Sequence, residues 1–145
     1  AFVRELSRAM SFAQRYQQTS SVGYFDVNNM KTINDSLGHA AGDAALMHVA
    51  RTLMENVRQS DLVGRLGGDE FGVILAQVTE EVARMKTAEL AEKINTEPLK
   101  WNGAEIQVTI AHGSFSFSGA ESAHEALDAA DRAMYEQKLA AADGT

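Results

Sequence analysis

The chain has 145 residues, of which 45% are hydrophobic and 23% charged, with one proline and no cysteine. This composition predicts a single domain over residues 1–145 and excludes a disordered segment, a disulfide framework and a thiolate-based site. The formal charge of −7 opposes attraction to a phosphate backbone, so we expect no nucleic-acid partner. Clustered carboxylates can still hold a divalent cation that accepts the phosphate oxygens of a nucleotide.

The hydropathy of the chain and its first residues indicate where the domain is located in the cell and whether it belongs to a longer protein. No segment resembles a signal peptide or a membrane span, which predicts a cytoplasmic domain without membrane contact. Because the chain opens at Ala1-Phe2 within a helical pattern, we expect that it is excised from a longer multidomain protein. Upstream segments of that protein could then carry a membrane anchor.

Three elements are predicted in the first part of the chain. A loose helical period runs to about Gln18, on the apolar positions Phe2, Leu6, Met10 and Phe12. Residues 21–27 form an apolar run that ends beside the carboxylate of Asp26, as a buried strand does where it reaches a site. Residues 43–57 form a helix with one apolar stripe, which consists of Leu46, Val49, Ala50, Leu53 and Val57.

The rest of the chain predicts two hairpins and two helices. Residues 61–66 and 71–76 are strands joined by a glycine-rich turn, and Asn102-Gly103 marks a second hairpin that leads into the alternating positions 106, 108 and 110. The helix over 79–95 has an apolar side formed by Val82, Met85, Leu90 and Ile94. Ser122 and Glu125 form a capping box before a last helix, which turns Leu127, Ala130 and Met134 inward.

The turn Gly67-Gly68-Asp69-Glu70 is a candidate ligand site. Its two glycines allow a tight turn and a close approach to a ligand, while two adjacent acids project from the tip. An ordinary hairpin turn with solvated acids is the alternative at this point.

The neighbouring segments make the pattern specific. Residues 26–35 are Asp-Val-Asn-Asn-Met-Lys-Thr-Ile-Asn-Asp, and Gly38-His39 and Gly42-Asp43 follow. Together with Gly67-Gly68-Asp69-Glu70-Phe71, they resemble the GGDEF domain, the catalytic module of diguanylate cyclases. The resemblance extends through residues 130–138 and covers nearly the whole chain. It implies a palm-like α/β (α+β) nucleotide cyclase fold, with a central mixed, largely antiparallel sheet ringed by helices.

The resemblance also implies the reaction and its metal. Asp26, the backbone carbonyl of Val27, Asp69 and Glu70 would hold one or two Mg²⁺ ions, with Mn²⁺ as an alternative, and Asp69 and Glu70 would be the catalytic residues. The 3′-hydroxyl of one GTP would attack the α-phosphate of another, giving cyclic di-GMP and pyrophosphate. Because each domain would hold one GTP, activity would require a homodimer.

Further positions match the family's substrate site. Asn34 and Asp43 would hydrogen-bond the guanine edge, and Lys31 and Lys138 would reach the phosphates. The remaining substrate-binding positions are Asn28, Asn29, Met30, Gly67, Gly68 and His39, the last lying in the family's turn, where a structural role is the alternative. Taken alone, each lysine could simply be solvated, and Asn34-Asp35 could be a helix cap.

Arg58 and Asp61 match the family's inhibitory product site. They form an Arg-x-x-Asp placed five residues before the two glycines. An arginine fork can grip a phosphate or guanine while the carboxylate takes guanine N–H groups, which would allow feedback by cyclic di-GMP. A charge pair at a helix end is the alternative.

The match has gaps that leave other functions open. Asn28 stands where many members have a second aspartate, Met30 replaces phenylalanine, and an arginine that members carry after Lys138 is missing. The alternatives are a catalytically silent GGDEF domain that binds GTP or cyclic di-GMP as a regulatory module, and a purely structural dimerisation module.

Overall fold

A four-stranded sheet forms the centre of the protein, in a computed structural model that describes residues 1–142. In chain order the elements are α1 Phe2–Tyr16, β1 Ser20–Val27, α2 Met30–Leu37, α3 His39–Glu55, β2 Leu62–Arg65, β3 Glu70–Leu75, α4 Glu80–Thr96, β4 Leu99–Trp101, β5 Ala104–Ile106, β6 Ile110–Phe117 and α5 Ala123–Ala142. The α+β class expected from the sequence is therefore confirmed.

The sheet has the strand order β2-β3-β1-β6, and each of its three pairings is antiparallel. This confirms the largely antiparallel sheet, and among the described strands no parallel pair accompanies it. The hairpin of β4 and β5 turns at Asn102-Gly103, both with positive φ, and forms a separate two-stranded sheet. β1 lies between β3 and β6, so its end is flanked by strands on both sides.

The alternation of side chains along β1 divides the core into two parts. Phe25 and Val27 face the cluster that includes residues of α3 and α4, whereas Val22 and Tyr24 face the cluster formed with α1 and α5. Burial of a side chain the size of Phe25 stabilises the fold by about 1.5–3 kcal/mol. Asp26 follows Tyr24 by two residues and therefore lies on the α1/α5 face.

Two helices differ from the sequence prediction. α2 was not predicted, because it has eight residues and buries only Ile33, which is too short a pattern to show helical periodicity. Asn34 and Asp35 lie inside this helix and do not cap it. α3 begins at His39, four residues before the predicted start.

Some apolar positions were also assigned wrongly. Phe12, Val82 and Met85 are about half exposed. The buried stripe of α4 consists instead of Ala83, Thr87, Leu90, Ala91 and Ile94, because small side chains let this helix pack closely on the sheet. Residues 106–110 do not form one strand, since β5 ends at Ile106 and β6 begins at Ile110.

A helix that spans a bilayer needs about 20 consecutive, predominantly apolar residues. Across residues 1–142, none of the helices is long and apolar enough to cross a membrane.

Candidate functional site

Asp26 and Glu70 face each other at one end of the sheet. Asp26 lies near the end of β1 and Glu70 begins β3, and the antiparallel register makes the two residues direct partners. Residues opposed in this way have Cβ atoms about 4.5–5.5 Å apart. Both are partly buried. Two carboxylates in this arrangement repel each other, so the pair is suited to a cation.

The hairpin tip is tied to the end of β1. The Val27 amide donates to the Asp69 carbonyl at 3.0 Å, which places Asp69 beside the Asp26–Glu70 pair. The Arg65 guanidinium donates to the carbonyls of Gly67 and Gly68 and braces the turn from the other side. Asp26, Asp69 and Glu70, predicted from separate segments, are thus neighbours in the fold.

Glu70 lies beside a tyrosine that the sequence analysis missed. Burial, together with the neighbouring Glu70 carboxylate, raises the pKa of the Tyr24 hydroxyl, and Asp131 and Asp26 add to this effect. On the other side of Glu70, a Cβ on Gly67 would fall 2.6 Å from its Oε1, so the missing side chain gives the carboxylate room. The strand alternation that places Tyr24 and Asp26 on one face was a signal that could have identified Tyr24.

Lys138 reaches the same place from α5. Its Nζ lies 3.2 Å from Oδ2 of Asp26, and the two side chains are only 35% and 20% exposed. α5 can lie this close because β6 has Gly113 beneath it, where a Cβ would fall 2.2 Å from the Met134 nitrogen. The sequence-predicted phosphate ligand is therefore, in this structure, the counter-ion of a predicted metal ligand.

The segment between β1 and α2 is fixed by Asn29. Its side-chain amide donates to the Gln107 carbonyl at 2.7 Å, and its Oδ1 accepts from the Thr109 amide at 3.1 Å. The Asn28 amide donates to the Thr109 carbonyl at 2.8 Å. Among the predicted substrate-binding residues Asn28, Asn29 and Met30, the backbone amides suited to an anion are those at the start of α2, because a helix leaves its first amides without internal partners.

Asn34 and the residue before Asp43 are in close contact. A Cβ on Gly42 would fall 1.9 Å from the Asn34 Oδ1, so only glycine lets α2 and α3 approach this closely. Asp43 is exposed and lines a cavity of about 460 Å³, together with residues of α3, β2 and β3 that include Leu46, Met47, Arg65 and Phe71. A polar acceptor at the rim of an apolar cavity suits a nucleobase.

Two predicted substrate residues lie at the surface. Lys31 is exposed and pairs with Asp35 at 3.0 Å, one turn along α2. His39 is exposed and is the first residue of α3. Such an exposed pair contributes little to stability, so Lys31 can exchange Asp35 for another anion at low cost.

Arg58 and Asp61 lie at the other end of the β2–β3 hairpin. The Asp61 side chain is only 1% exposed, and it accepts hydrogen bonds from the Arg58 backbone and guanidinium and from the Ala76 amide. Arg58 also donates to the Ala76 carbonyl, yet 53% of its side chain is exposed. The charge-pair alternative thus describes the contacts present here, and Arg58 is the member that a ligand can reach.

The carboxylates are not arranged as a finished metal cage. Within residues 1–142, no group of three or more His, Asp or Glu side chains is placed to coordinate one ion. The opposed pair still fits a hard divalent cation, because Mg²⁺ commonly takes one or two carboxylates and fills its other positions with water and phosphate oxygens.

Comparison with protein families gives one match over nearly all of the chain. Residues 1–143 match the family model "Diguanylate cyclase, GGDEF domain". The chain is 35% identical over 118 residues to the diguanylate cyclase DgcP of Pseudomonas aeruginosa, which covers 81% of this chain and 18% of that protein. It is 35% identical over 136 residues to the diguanylate cyclase TpbB of the same species, with 92% and 31% covered. The chain thus spans about a third or less of these relatives.

Solved structures show the same fold. The GGDEF domain of DgcB from Caulobacter crescentus, in complex with cyclic di-GMP, superposes with a TM-score of 0.89 at 26% identity, over 97% of this chain and 84% of that one. The GGDEF domain of TpbB from Pseudomonas aeruginosa gives a TM-score of 0.87 at 34% identity, with 95% and 87% covered.

Proposed function

We propose, since this chain belongs to the GGDEF domain family of diguanylate cyclases, that it condenses two molecules of GTP into cyclic di-GMP and pyrophosphate. The observation that carries the proposal is the register of β1 and β3, which opposes Asp26 and Glu70 on one sheet face beside the turn that contains Asp69. A structural module has no need of opposed acids, whose repulsion destabilises the sheet.

Asp26, Asp69 and Glu70 would hold the divalent cation, with the carbonyl of Val27. Mg²⁺ is the ion best matched to these oxygen ligands, and Mn²⁺ would substitute for it. When bound, such an ion neutralises phosphate charge and lowers the pKa of the attacking 3′-hydroxyl. The chain's own part is to place the acids, which the hairpin tip achieves by its attachment to β1.

The guanine base would lie in the 460 Å³ cavity beside α3. Asp43 would accept from the ring N–H and the exocyclic amine, which adenine does not present together. Asn34, held against Gly42, would complete the recognition from α2. Selection of guanine would therefore depend on two side chains from neighbouring helices.

The phosphates would extend from this cavity toward Asp26. The amides at the start of α2 and the turn at Gly67-Gly68 offer backbone donors. Lys138, now on Asp26, and Lys31, now on Asp35, would add positive charge. Both lysines would exchange a carboxylate for a phosphate as the nucleotide binds.

The decisive experiment is a chromatographic assay of GTP turnover with Mg²⁺, on protein fused to a dimeric coiled coil. We expect cyclic di-GMP from the parent protein and none from Asp69→Ala, because that variant loses a cation ligand in a turn whose side chain is not part of the hydrophobic core. Asp128→Ala, at an exposed position on α5, is the control and should remain active. Parent protein that binds cyclic di-GMP but consumes no GTP would establish the regulatory alternative instead.

Feedback by the product is the second part of the proposal. Cyclic di-GMP would bind at Arg58, whose exposed guanidinium is held in place by the buried Asp61. A cavity of about 240 Å³ lies beside this pair, and Lys86 lines it with apolar residues of β3 and α4. An anionic dinucleotide would thus meet two cations around a small apolar pocket.

A further inference from the structure

The tyrosine beside the opposed acids carries an inference that rests on the proposed function and extends it. Tyr24 lies on the same face of β1 as Asp26, two residues earlier, and Glu70 is diagonal to it on β3. Diagonal neighbours in a sheet are within reach of an aromatic side chain. The phenol can therefore contact Glu70 without any change in the backbone.

The residues on either side of Tyr24 in the sheet have no side chains. Its cross-strand partners are Gly72 on β3 and Gly113 on β6. Above Gly72 lies the Phe2 ring, which a Cβ there would meet at 2.7 Å, and above Gly113 lies the backbone of α5. Tyr24 thus occupies a slot bounded by α1 and α5, on the sheet face that also bears Asp26 and Glu70.

The phenolic O–H of Tyr24 can donate one hydrogen bond, and a carboxylate such as that of Glu70 accepts hydrogen bonds. A donor held between two helices beside a carboxylate is the usual arrangement of a residue that orients a metal ligand.

We propose that Tyr24 is a positioning residue, whose hydroxyl donates a hydrogen bond to Glu70 and fixes the orientation in which Glu70 meets the divalent cation. On its other side the Glu70 carboxylate lies against Gly67, where a Cβ would fall 2.6 Å from Oε1, so no side chain of that residue orients it. Tyr24 would touch neither the nucleotide nor the cation.

The test compares Tyr24→Phe with the parent protein. Mn²⁺ affinity is measured by electron paramagnetic resonance in the presence of 3′-deoxy-GTP, which lacks the attacking hydroxyl, so the measurement does not require turnover. We expect Tyr24→Phe to bind Mn²⁺ roughly tenfold more weakly, the usual effect of losing the partner of a metal ligand. Tyr16→Phe, on the exposed side of α1, should bind Mn²⁺ as the parent does.

A double-mutant cycle separates positioning from packing. In a Glu70→Gln background, Tyr24→Phe should weaken Mn²⁺ binding by less than about twofold, because the residue through which it acts has lost its charge. A purely structural role would lower the melting temperature and leave the coupling at zero. Equal losses in both backgrounds would overturn the proposal, as would an unchanged affinity in Tyr24→Phe alone.

The wild-type protein provides a test that does not depend on the folding of any variant. A crystal structure with Mg²⁺ and 3′-deoxy-GTP should place the Tyr24 hydroxyl within hydrogen-bond distance of a Glu70 oxygen, below about 3.2 Å. A clearly longer separation would overturn the positioning role. Wild-type protein that binds Mn²⁺ as expected but makes no cyclic di-GMP would contradict only the proposed function, and wild-type protein that binds no Mn²⁺ would contradict both.

Discussion

A methyl group added at Gly42 should affect the stability of the fold and the binding of GTP in opposite directions. Gly42→Ala in a helix normally stabilises, by about 0.5–1 kcal/mol. Here the new Cβ would fall 1.9 Å from Asn34 Oδ1 and would displace that side chain. We expect a rise in the KM for GTP of about tenfold, the equivalent of one hydrogen bond, with a smaller change in kcat. Ala40→Ser, exposed nearby on α3, is the control, and an unchanged KM would contradict the role of Asn34.

Arg58 can be tested through the product. Arg58→Ala should raise the concentration of cyclic di-GMP for half-inhibition by at least about tenfold, since a charged contact to phosphate is lost. The initial rate without product should not fall, because the pair lies at the opposite end of the β2–β3 hairpin from Asp69. Rates measured in a cyclic di-GMP titration check both points. Arg51→Ala on α3 is the matched control, and an unchanged inhibition curve for Arg58→Ala would refute the product site.

At the scale of residues, the sequence placed Asp26 and Glu70 in one site, and the strand register makes them cross-strand partners. Their role as cation ligands stays a prediction. The structural tasks of side chains were not predictable from spacing. Asn29 hydrogen-bonds the 107–109 segment, and the Asp61 carboxylate accepts hydrogen bonds from Arg58 and Ala76. Spacing could not predict these contacts, because most of them join positions that are distant in sequence.

At the scale of elements, the capping box of α5 gives a pH-dependent contribution to stability. As predicted, the Ser122 amide donates to the Glu125 carboxylate, and the Glu125 amide donates to the Ser122 hydroxyl oxygen. Donation by the Ser122 backbone, followed by its side chain, lowers the pKa of Glu125 below its ordinary 4.5. A carboxyl with a lowered pKa in the fold stabilises it above the unfolded pKa, and this contribution is lost as pH falls through the folded value.

Glu125→Gln should therefore melt at a lower temperature than the parent near neutral pH, by a few degrees at most for a surface cap. The difference should shrink progressively as the pH is lowered below 4.5. Thermal melts by circular dichroism at several pH values measure it. Glu136→Gln, exposed on the same helix, is the control. A difference that persists unchanged in acid would contradict the capping account.

The elements predicted best were those with a repeating pattern or a specific turn. The Gly67–Glu70 and Asn102-Gly103 hairpins are confirmed, because their turn residues determine the local backbone. α2 escaped prediction because one buried residue gives no period. The buried stripe of α4 differs from the predicted one, because close packing on the sheet favours Ala83 and Thr87 over the larger Val82 and Met85.

At the scale of the whole molecule, the proposed reaction requires two copies. In the proposed site the opposed acids and the cavity beside Asp43 would hold one nucleotide in each domain, so two nucleotides would be brought together by association of two domains. We expect turnover per protomer to rise with protein concentration in the isolated chain and to become independent of concentration once a coiled coil is fused to it. Rates measured over a hundredfold dilution series check this, and equal specific activity at every dilution of the unfused chain would contradict it.

The ion pair between α5 and β1 would link α5 to binding of the proposed cation. The Lys138 ammonium already balances Asp26, so a divalent ion bound there would have to share this carboxylate with Lys138 or displace it. Coupling free energies are reciprocal. A shift of α5 along the sheet would therefore alter the affinity for the proposed cation, and binding of the cation would alter the docking of α5 by the same factor.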